Sequence, residues 1–214
     1  MEQDLKTKIM KTVILANGKF PEHEIPLRHL GEADLIVCCD GAVEKLLKHG
    51  LEPGAIVGDL DSLSAGMMER YSSIISGDTD QETNDLTKAV RWCIEHGIDE
   101  VVILGATGLR EDHTLGNISL LADYSPMLKV TMLTDTGSFI VIDPATAIFS
   151  TPGQQVSIFS LDPELAISSS GLRYPLNSLR LHSWWRGTLN EASADHFSLD
   201  FEDGHVIVFM KFIE

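Results

Sequence analysis

Gly58-Asp59-Leu60-Asp61-Ser62 places two carboxylates two residues apart at the end of the apolar run Ala55 to Val57, and a second acidic cluster, Asp78 to Asp85, follows closely. Mg²⁺ is a hard cation that takes oxygen ligands, and phosphoryl-transfer enzymes hold it with one or two carboxylates plus the substrate phosphates. Two carboxylates on one short turn therefore suggest a site for a metal-bound nucleotide. The competing reading is structural, because Asp and Ser are ordinary turn formers after a strand.

Two more clusters share that placement. Asp40-Gly41-Ala42 follows the apolar run Leu35 to Cys39, and Gly105 to Asn117 follows Val101 to Leu104. In an open α/β sheet, ligands gather where loops leave the carboxyl ends of strands. Within Asp78 to Asp85, the acids Asp80, Glu82 and Asp85 lead into a helical pattern from Leu86, where they either cap the helix or face a ligand. Thr83-Asn84 already supplies capping groups, which leaves Asp85 free for the second role. Lys88 either reaches a ligand or pairs with Asp85 along the helix face. In the last cluster, Gly105 and Gly108 let backbone approach a ligand closely, and Arg110 supplies a planar fork for phosphate oxygens. If a helix begins near Asp112, His113 and Asn117 lie on one face. His113 also suits a structural hydrogen bond; no other histidine has ligand spacing, and the carboxylates favour a harder ion.

The elements that must position these residues follow from apolar periodicity. Val13 to Ala16, Leu35 to Cys39, Ala55 to Val57, Ile74-Ile75, Val101 to Leu104 and Val130 to Leu133 alternate with helical patterns, as in a mostly parallel sheet covered on both faces. Ala42 to Lys48 and Leu86 to His96 are the clearest helices, the second with Gly97 placed to end it. Beyond about residue 137 the texture becomes strand-like, in Phe139 to Ile142, Ala147 to Phe149, Val156 to Leu161 and His196 to Phe212. Phe197, Leu199 and Phe201 alternate with polar residues, and Asp203-Gly204 then predicts an antiparallel hairpin. Trp184 and Trp185, read as strand residues, would face opposite ways with one of them buried. The fold class is therefore α/β, a Rossmann-like N-terminal domain over 1–138 followed by a smaller all-β, sandwich-like domain over 139–214.

Composition narrows the partners. Sixteen Lys and Arg against thirty-two Asp and Glu leave a net charge of −16 over 214 residues, a field that repels a nucleic-acid backbone. A phosphate site here needs a metal and local basic residues, whereas a cationic second substrate is favoured. Met1 to Lys11 is charged throughout, unlike a secretory signal, and no segment approaches the roughly 20 apolar residues that span a bilayer. Cys38, Cys39 and Cys93 lack metal-ligand spacing and read as small core residues in a reducing cytoplasm. The chain lacks GxxxxGK[ST], GxGxxG and a nucleophile–base triad, which leaves phosphoryl transfer by metal, positioning and charge stabilisation.

In order and spacing, Ile14-Leu15-Ala16-Asn17-Gly18, Asp40-Gly41-Ala42, Gly58 to Ser62, Asp80 to Asp85 with Lys88, Arg110 to His113 and Gly171-Leu172-Arg173-Tyr174-Pro175-Leu176 resemble the thiamine pyrophosphokinase family along essentially the whole chain. The resemblance implies a transferase that moves the pyrophosphoryl group of ATP onto the thiamine hydroxyl and releases AMP, with Mg²⁺ or Mn²⁺. It implies Asp59, Asp61 and Asp85 as catalytic metal ligands. Asp40, Lys88, Arg110, Asp112, His113 and Asn117 would surround ATP; Gln81, Ser170, Tyr174 and Ser193 would surround thiamine. It further implies a cytoplasmic homodimer with its active site at the subunit interface, independent of nucleic acid and membrane. Two departures stand out: Leu109 where a second glycine is usual, and Ser193-Ala194 where a Ser-Asn pair is usual. Short of the resemblance, the same carboxylates would serve a phosphotransferase using another alcohol, or water, as acceptor, and a catalytically dead nucleotide- or thiamine-binding regulator is the reading from outside enzymology.

Overall fold

The computed structural model describes residues 10–213, so the reading of the first nine positions falls outside the described residues. Met1–Ala106 and Thr107–Glu214 form two compact units.

The first unit alternates strand and helix as β1 (Thr12–Leu15), α1 (Glu24–Gly31), β2 (Leu35–Cys39), α2 (Ala42–Lys48), β3 (Ala55–Gly58), α3 (Ala65–Arg70), β4 (Ile75–Gly77), α4 (Asp85–Glu95) and β5 (Glu100–Leu104). Its strands pair in parallel in the order β5-β1-β2-β3-β4. Ile14, Val37, Cys38, Ile56 and Ile103 are completely buried, which is why these strands read as continuous apolar runs. The three cysteines are free and buried, as expected of small core residues. Helix α4 packs Leu86, Ala89, Val90 and Cys93 inward. It ends in a Schellman closure: Gly97, at φ 71, donates to the Ile94 carbonyl at 3.0 Å and Ile98 donates to that of Cys93 at 3.0 Å.

The second unit opens with α5 (Glu111–Tyr124) and continues through β6 (Lys129–Leu133), β7 (Gly137–Ile142), β8 (Ala147–Phe149), β9 (Gln155–Ser160), β10 (Ala166–Ser170), β11 (Leu179–Arg180), β12 (Asn190–Glu191), β13 (His196–Asp200) and β14 (Val206–Lys211). Antiparallel pairing builds one layer in the order β12-β9-β14-β7-β6 and another in the order β11-β10-β13-β8. One core fills the space between them, drawing Ile142, Ile158 and Val208 from the first layer and Ile148, Ile167 and Phe197 from the second. The architecture is mixed α/β with a C-terminal β domain.

Two sequence expectations are corrected. β13 and β14 do not form a hairpin: β13 pairs with β8 and β10, whereas β14 pairs with β7 and β9. The chain crosses from one layer to the other around Asp203-Gly204, and Phe197, Leu199, Val206 and Val208 approach the same core from opposite sides. Trp184 and Trp185 lie in a 3-10 turn, Trp184–Gly187, not a strand, and both are exposed. Trp184 instead sets its ring edge-on to Phe159, centroids 5.8 Å apart.

Candidate active site

Asp40 is the first residue after β2, and its backbone is bent into the left-handed region at φ 32. Its amide donates to the Val57 carbonyl at 2.9 Å, which fastens the end of β2 to β3. Leu60, between Asp59 and Asp61, also has positive φ, 68. Such strain persists where the surroundings enforce it and gathers at functional loops. Here it folds the segment back: Asp61 N–H donates to Asp59 Oδ1 at 3.3 Å, Ser62 N–H to Asp40 Oδ2 at 3.2 Å, and Ser62 Oγ to Asp61 Oδ1 at 3.0 Å.

The result is a carboxylate cluster. Asp40, Asp59 and Asp61 can each offer an oxygen within 4.8 Å of the others. Asp85 joins from the first turn of α4. Asn84 caps that helix, its Oδ1 accepting from Thr87 N–H at 2.9 Å, so the Asp85 carboxylate is not needed as the cap. Gly58 permits the convergence, since a Cβ there would stand 2.9 Å from Asp40 Cβ and 3.2 Å from Asp85 Oδ1.

Electrostatics mark the cluster as incomplete. Burial, followed by the Asp85 and Asp59 charges, pushes the Asp40 carboxyl above its ordinary pKa. Burial and then Asp59 do the same to Asp85, while Lys88 opposes the shift. Asp40 Oδ1 is buried and has no hydrogen-bond partner among the described residues. An orphaned buried oxygen amid like charges is costly unless a cation satisfies it. All these donors are hard oxygens, the set that suits Mg²⁺ or Mn²⁺. The residues present therefore fit such a metal.

Lys88 is the nearest counter-charge. Its side chain is 2% exposed, and Nζ lies 3.5 Å from Asp85 Oδ1. Of the neighbouring acids, Asp80 is tied into the loop: it accepts from Glu82 N–H at 2.9 Å, Thr83 Oγ1 at 3.0 Å and Arg91 at 3.3 Å, which hold its pKa down. Gln81 is exposed on the same loop, its Nε2 3.4 Å from the Thr79 carbonyl.

In the second unit Arg110 precedes α5 and is exposed, as are Asp112 and His113, while Asn117 is half-buried one turn on. The guanidinium closes on Asp112 through Nε to Oδ1 at 3.1 Å and a second, shorter bond to Oδ2. That fork holds the Asp112 pKa down at about 2. Ser170 Oγ lies 2.8 Å from Ser198 Oγ, and Ser193 is exposed with its N–H on the Gly171 carbonyl at 2.9 Å. Tyr174 is 58% exposed, so its ring is not part of the core. Asn190, which no sequence feature singled out, binds the Tyr174 main chain on both sides. A buried asparagine in a short strand carries no local signal of such a role.

The chain matches the family profile described as "Thiamin pyrophosphokinase, catalytic domain" over residues 27–132 and that described as "Thiamin pyrophosphokinase, substrate-binding domain" over residues 137–209. It is 28% identical over 160 residues to thiamin pyrophosphokinase 1 of Caenorhabditis elegans, covering 68% of this chain and 65% of the relative. Over 183 residues it is 26% identical to thiamine pyrophosphokinase of Bacillus subtilis, covering 80% of this chain and 85% of that protein. Among solved structures, that of the Bacillus subtilis thiamine pyrophosphokinase shares the fold at TM-score 0.75 and 22% identity, covering 95% of this chain and all of the other (100%). The Candida albicans thiamin pyrophosphokinase shares it at TM-score 0.77 and 19% identity, covering 94% of this chain and 90% of the other.

Proposed function

The chain belongs to the thiamin pyrophosphokinase family, and from that premise we propose that it transfers the pyrophosphoryl group of ATP to the hydroxyl of thiamine, giving thiamine diphosphate and AMP. The observation that carries the reading is the convergence of Asp40, Asp59 and Asp61 beside Asp85, with one carboxylate oxygen buried and unpartnered among the described residues.

In the reaction the thiamine oxygen forms a bond to the β-phosphorus, the bond from that phosphorus to the α-phosphate bridging oxygen breaks, AMP departs, and the hydroxyl proton is released. Asp59, Asp61 and Asp85, with Asp40 beside them, would hold Mg²⁺ or Mn²⁺, which supplies charge neutralisation and Lewis acidity at the phosphate oxygens. The protein's own part is positioning. Gly58 and the strained Leu60 hold the carboxylates together before any ligand arrives, so little reorganisation is needed as charge shifts. Lys88, being buried against Asp85, acts through that carboxylate. The exposed Arg110 fork suits phosphate oxygens and must exchange Asp112 for them, while His113 and Asn117 line the same end of α5.

Thiamine carries a cationic thiazolium, which the net charge of −16 favours. Over the exposed face of Tyr174 such a ring gains roughly 0.5–2 kcal/mol. Gln81, Ser170 and Ser193 complete the proposed thiamine contacts. The reading divides labour between a nucleotide domain over 1–138 and a thiamine domain over 139–214, in a cytoplasmic homodimer whose subunits complete each other's sites. Exposure of Tyr174 and Arg110 supports the shared site, and the free cysteines suit the location.

Incubation with ATP, Mg²⁺ and thiamine, followed by separation of the nucleotides, tests the reaction. AMP and thiamine diphosphate should appear in equal amounts. ADP as sole product, or nucleotide cleavage indifferent to thiamine, would remove the assignment.

A further inference from the structure

Asn190 is uncharged, yet its side chain is among the most completely bonded in the second unit. The residue is 6% exposed. Its Oδ1 accepts from Tyr174 N–H at 3.1 Å and from Glu191 N–H at 2.9 Å, while Nδ2 donates to the Tyr174 carbonyl at 2.7 Å. One side-chain amide thus grips both main-chain polar groups of a single residue, as a neighbouring strand would. The flanking backbone is fixed as well: Leu172 bridges Ala192, and Arg173 N–H donates to the Glu191 carbonyl at 2.8 Å.

The ring carried by this clamped backbone is left open. Tyr174 is 58% exposed, and the cation beside it is Arg173, whose guanidinium carbon is 5.7 Å from the ring centroid. Arg173 is itself held by Glu191 at 3.2 Å. The preceding loop residue, Leu189, has φ 63 and is 81% exposed, so the chain accepts strain immediately before Asn190. Leu172 and Leu176 on either side of Tyr174 are buried in the core, but the Tyr174 ring between them contributes little to it. A buried amide that immobilises the backbone beneath an exposed aromatic face serves presentation of that face.

We propose that Asn190 is a positioning residue for thiamine: it fixes the Tyr174 main chain so that the ring meets the cationic heterocycle, without itself touching the substrate. The inference rests on the reading of Tyr174 as the thiamine-stacking residue. Preorganisation of this kind acts on substrate binding and leaves the chemical step alone, so its signature is in KM.

Steady-state kinetics on Tyr174→Ala, Asn190→Ala, Asn190→Asp and the Tyr174→Ala/Asn190→Ala pair tests it. Tyr174→Ala should raise the thiamine KM about tenfold, and Asn190→Ala should match it, with kcat and the ATP KM within about twofold of wild type. Asn190→Asp keeps acceptor oxygens but loses the Nδ2 donor, and should fall between. In the double variant the two effects should not add, because both remove one interaction. A wild-type thiamine KM in Asn190→Ala, alongside a raised one in Tyr174→Ala, overturns the Asn190 role. So does an additive double variant, or an equal loss in kcat and ATP KM, which marks general destabilisation. An unchanged KM in Tyr174→Ala instead overturns the reading of Tyr174, and the inference with it. If Asn190→Ala does not fold, the same cycle run with Asn190→Asp separates the same outcomes.

Discussion

Lys88 Nζ lies 3.5 Å from Asp85 Oδ1, with the lysine side chain 2% exposed and the aspartate side chain 35% exposed. The cation is thus enclosed and the anion partly open, so the lysine serves the carboxylate and the carboxylate faces outward. Lys88→Met keeps the stem volume but removes the charge that favours ionised Asp85. The raised Asp85 pKa then rises further, and the acid limb of the pH–rate profile moves to higher pH. We expect kcat/KM to drop by about tenfold or more at neutral pH, with far-UV circular dichroism unchanged. A profile superimposable on wild type would separate Lys88 from the site.

Asp40 and Asp85 both have folded-state pKa values above the ordinary 3.8. A raised carboxyl pKa contributes stability that is full below the unfolded value and is lost as pH rises through the folded one. At pH 7 without metal, the ionised cluster therefore weighs against the fold. Asp40→Asn removes one of these charges while leaving an oxygen for Ser62 N–H, and should raise Tm by about 2–4 °C while abolishing turnover. The gain should disappear as pH falls toward 4. A lower Tm at pH 7 would mean that the charge is already compensated within the chain.

The same cluster predicts metal-linked stability. Mg²⁺ at about a hundred times its dissociation constant should stabilise the protein by about 2.7 kcal/mol, reversed by chelation. Asp61 is exposed, so Asp61→Asn should leave the unliganded Tm within about 1 °C while losing the Mg²⁺ shift and turnover. A full Mg²⁺ shift in that variant would take Asp61 out of the metal set.

Arg110 holds Asp112 through two guanidinium nitrogens, a geometry that Lys cannot reproduce. Arg110→Lys keeps the charge yet should raise the ATP KM about tenfold, with the thiamine KM nearly unchanged. Equal ATP KM values in the two proteins would show that the fork is not used on phosphate.

The exits of the first unit were legible because interior parallel strands are buried on both faces. They read as unbroken apolar runs, and the first polar residues beyond them, Asp40 after Cys39 and Asp59 after Gly58, are those the sheet presents. Asp85 was readable because Asn84 supplied the cap. Burial of Lys88 was not readable, since a lysine three residues along a helix from an aspartate suits an exposed pair equally well. Helix α3 was missed because it buries no residue and so lacks an apolar stripe. The β13–β14 relationship was misread because alternation reports a buried face but not the partner strand. Asn190 was silent because its role depends on a residue sixteen positions away.

The most direct test of the central claim is crystallography of the protein with Mn²⁺, a nonhydrolysable ATP analogue and thiamine, with data collected at the manganese absorption edge. If the claim holds, anomalous peaks lie against oxygens of Asp59, Asp61 and Asp85 beside Asp40, with the analogue's phosphates on the same metal. Manganese found elsewhere, or phosphates bound away from these carboxylates, would contradict it.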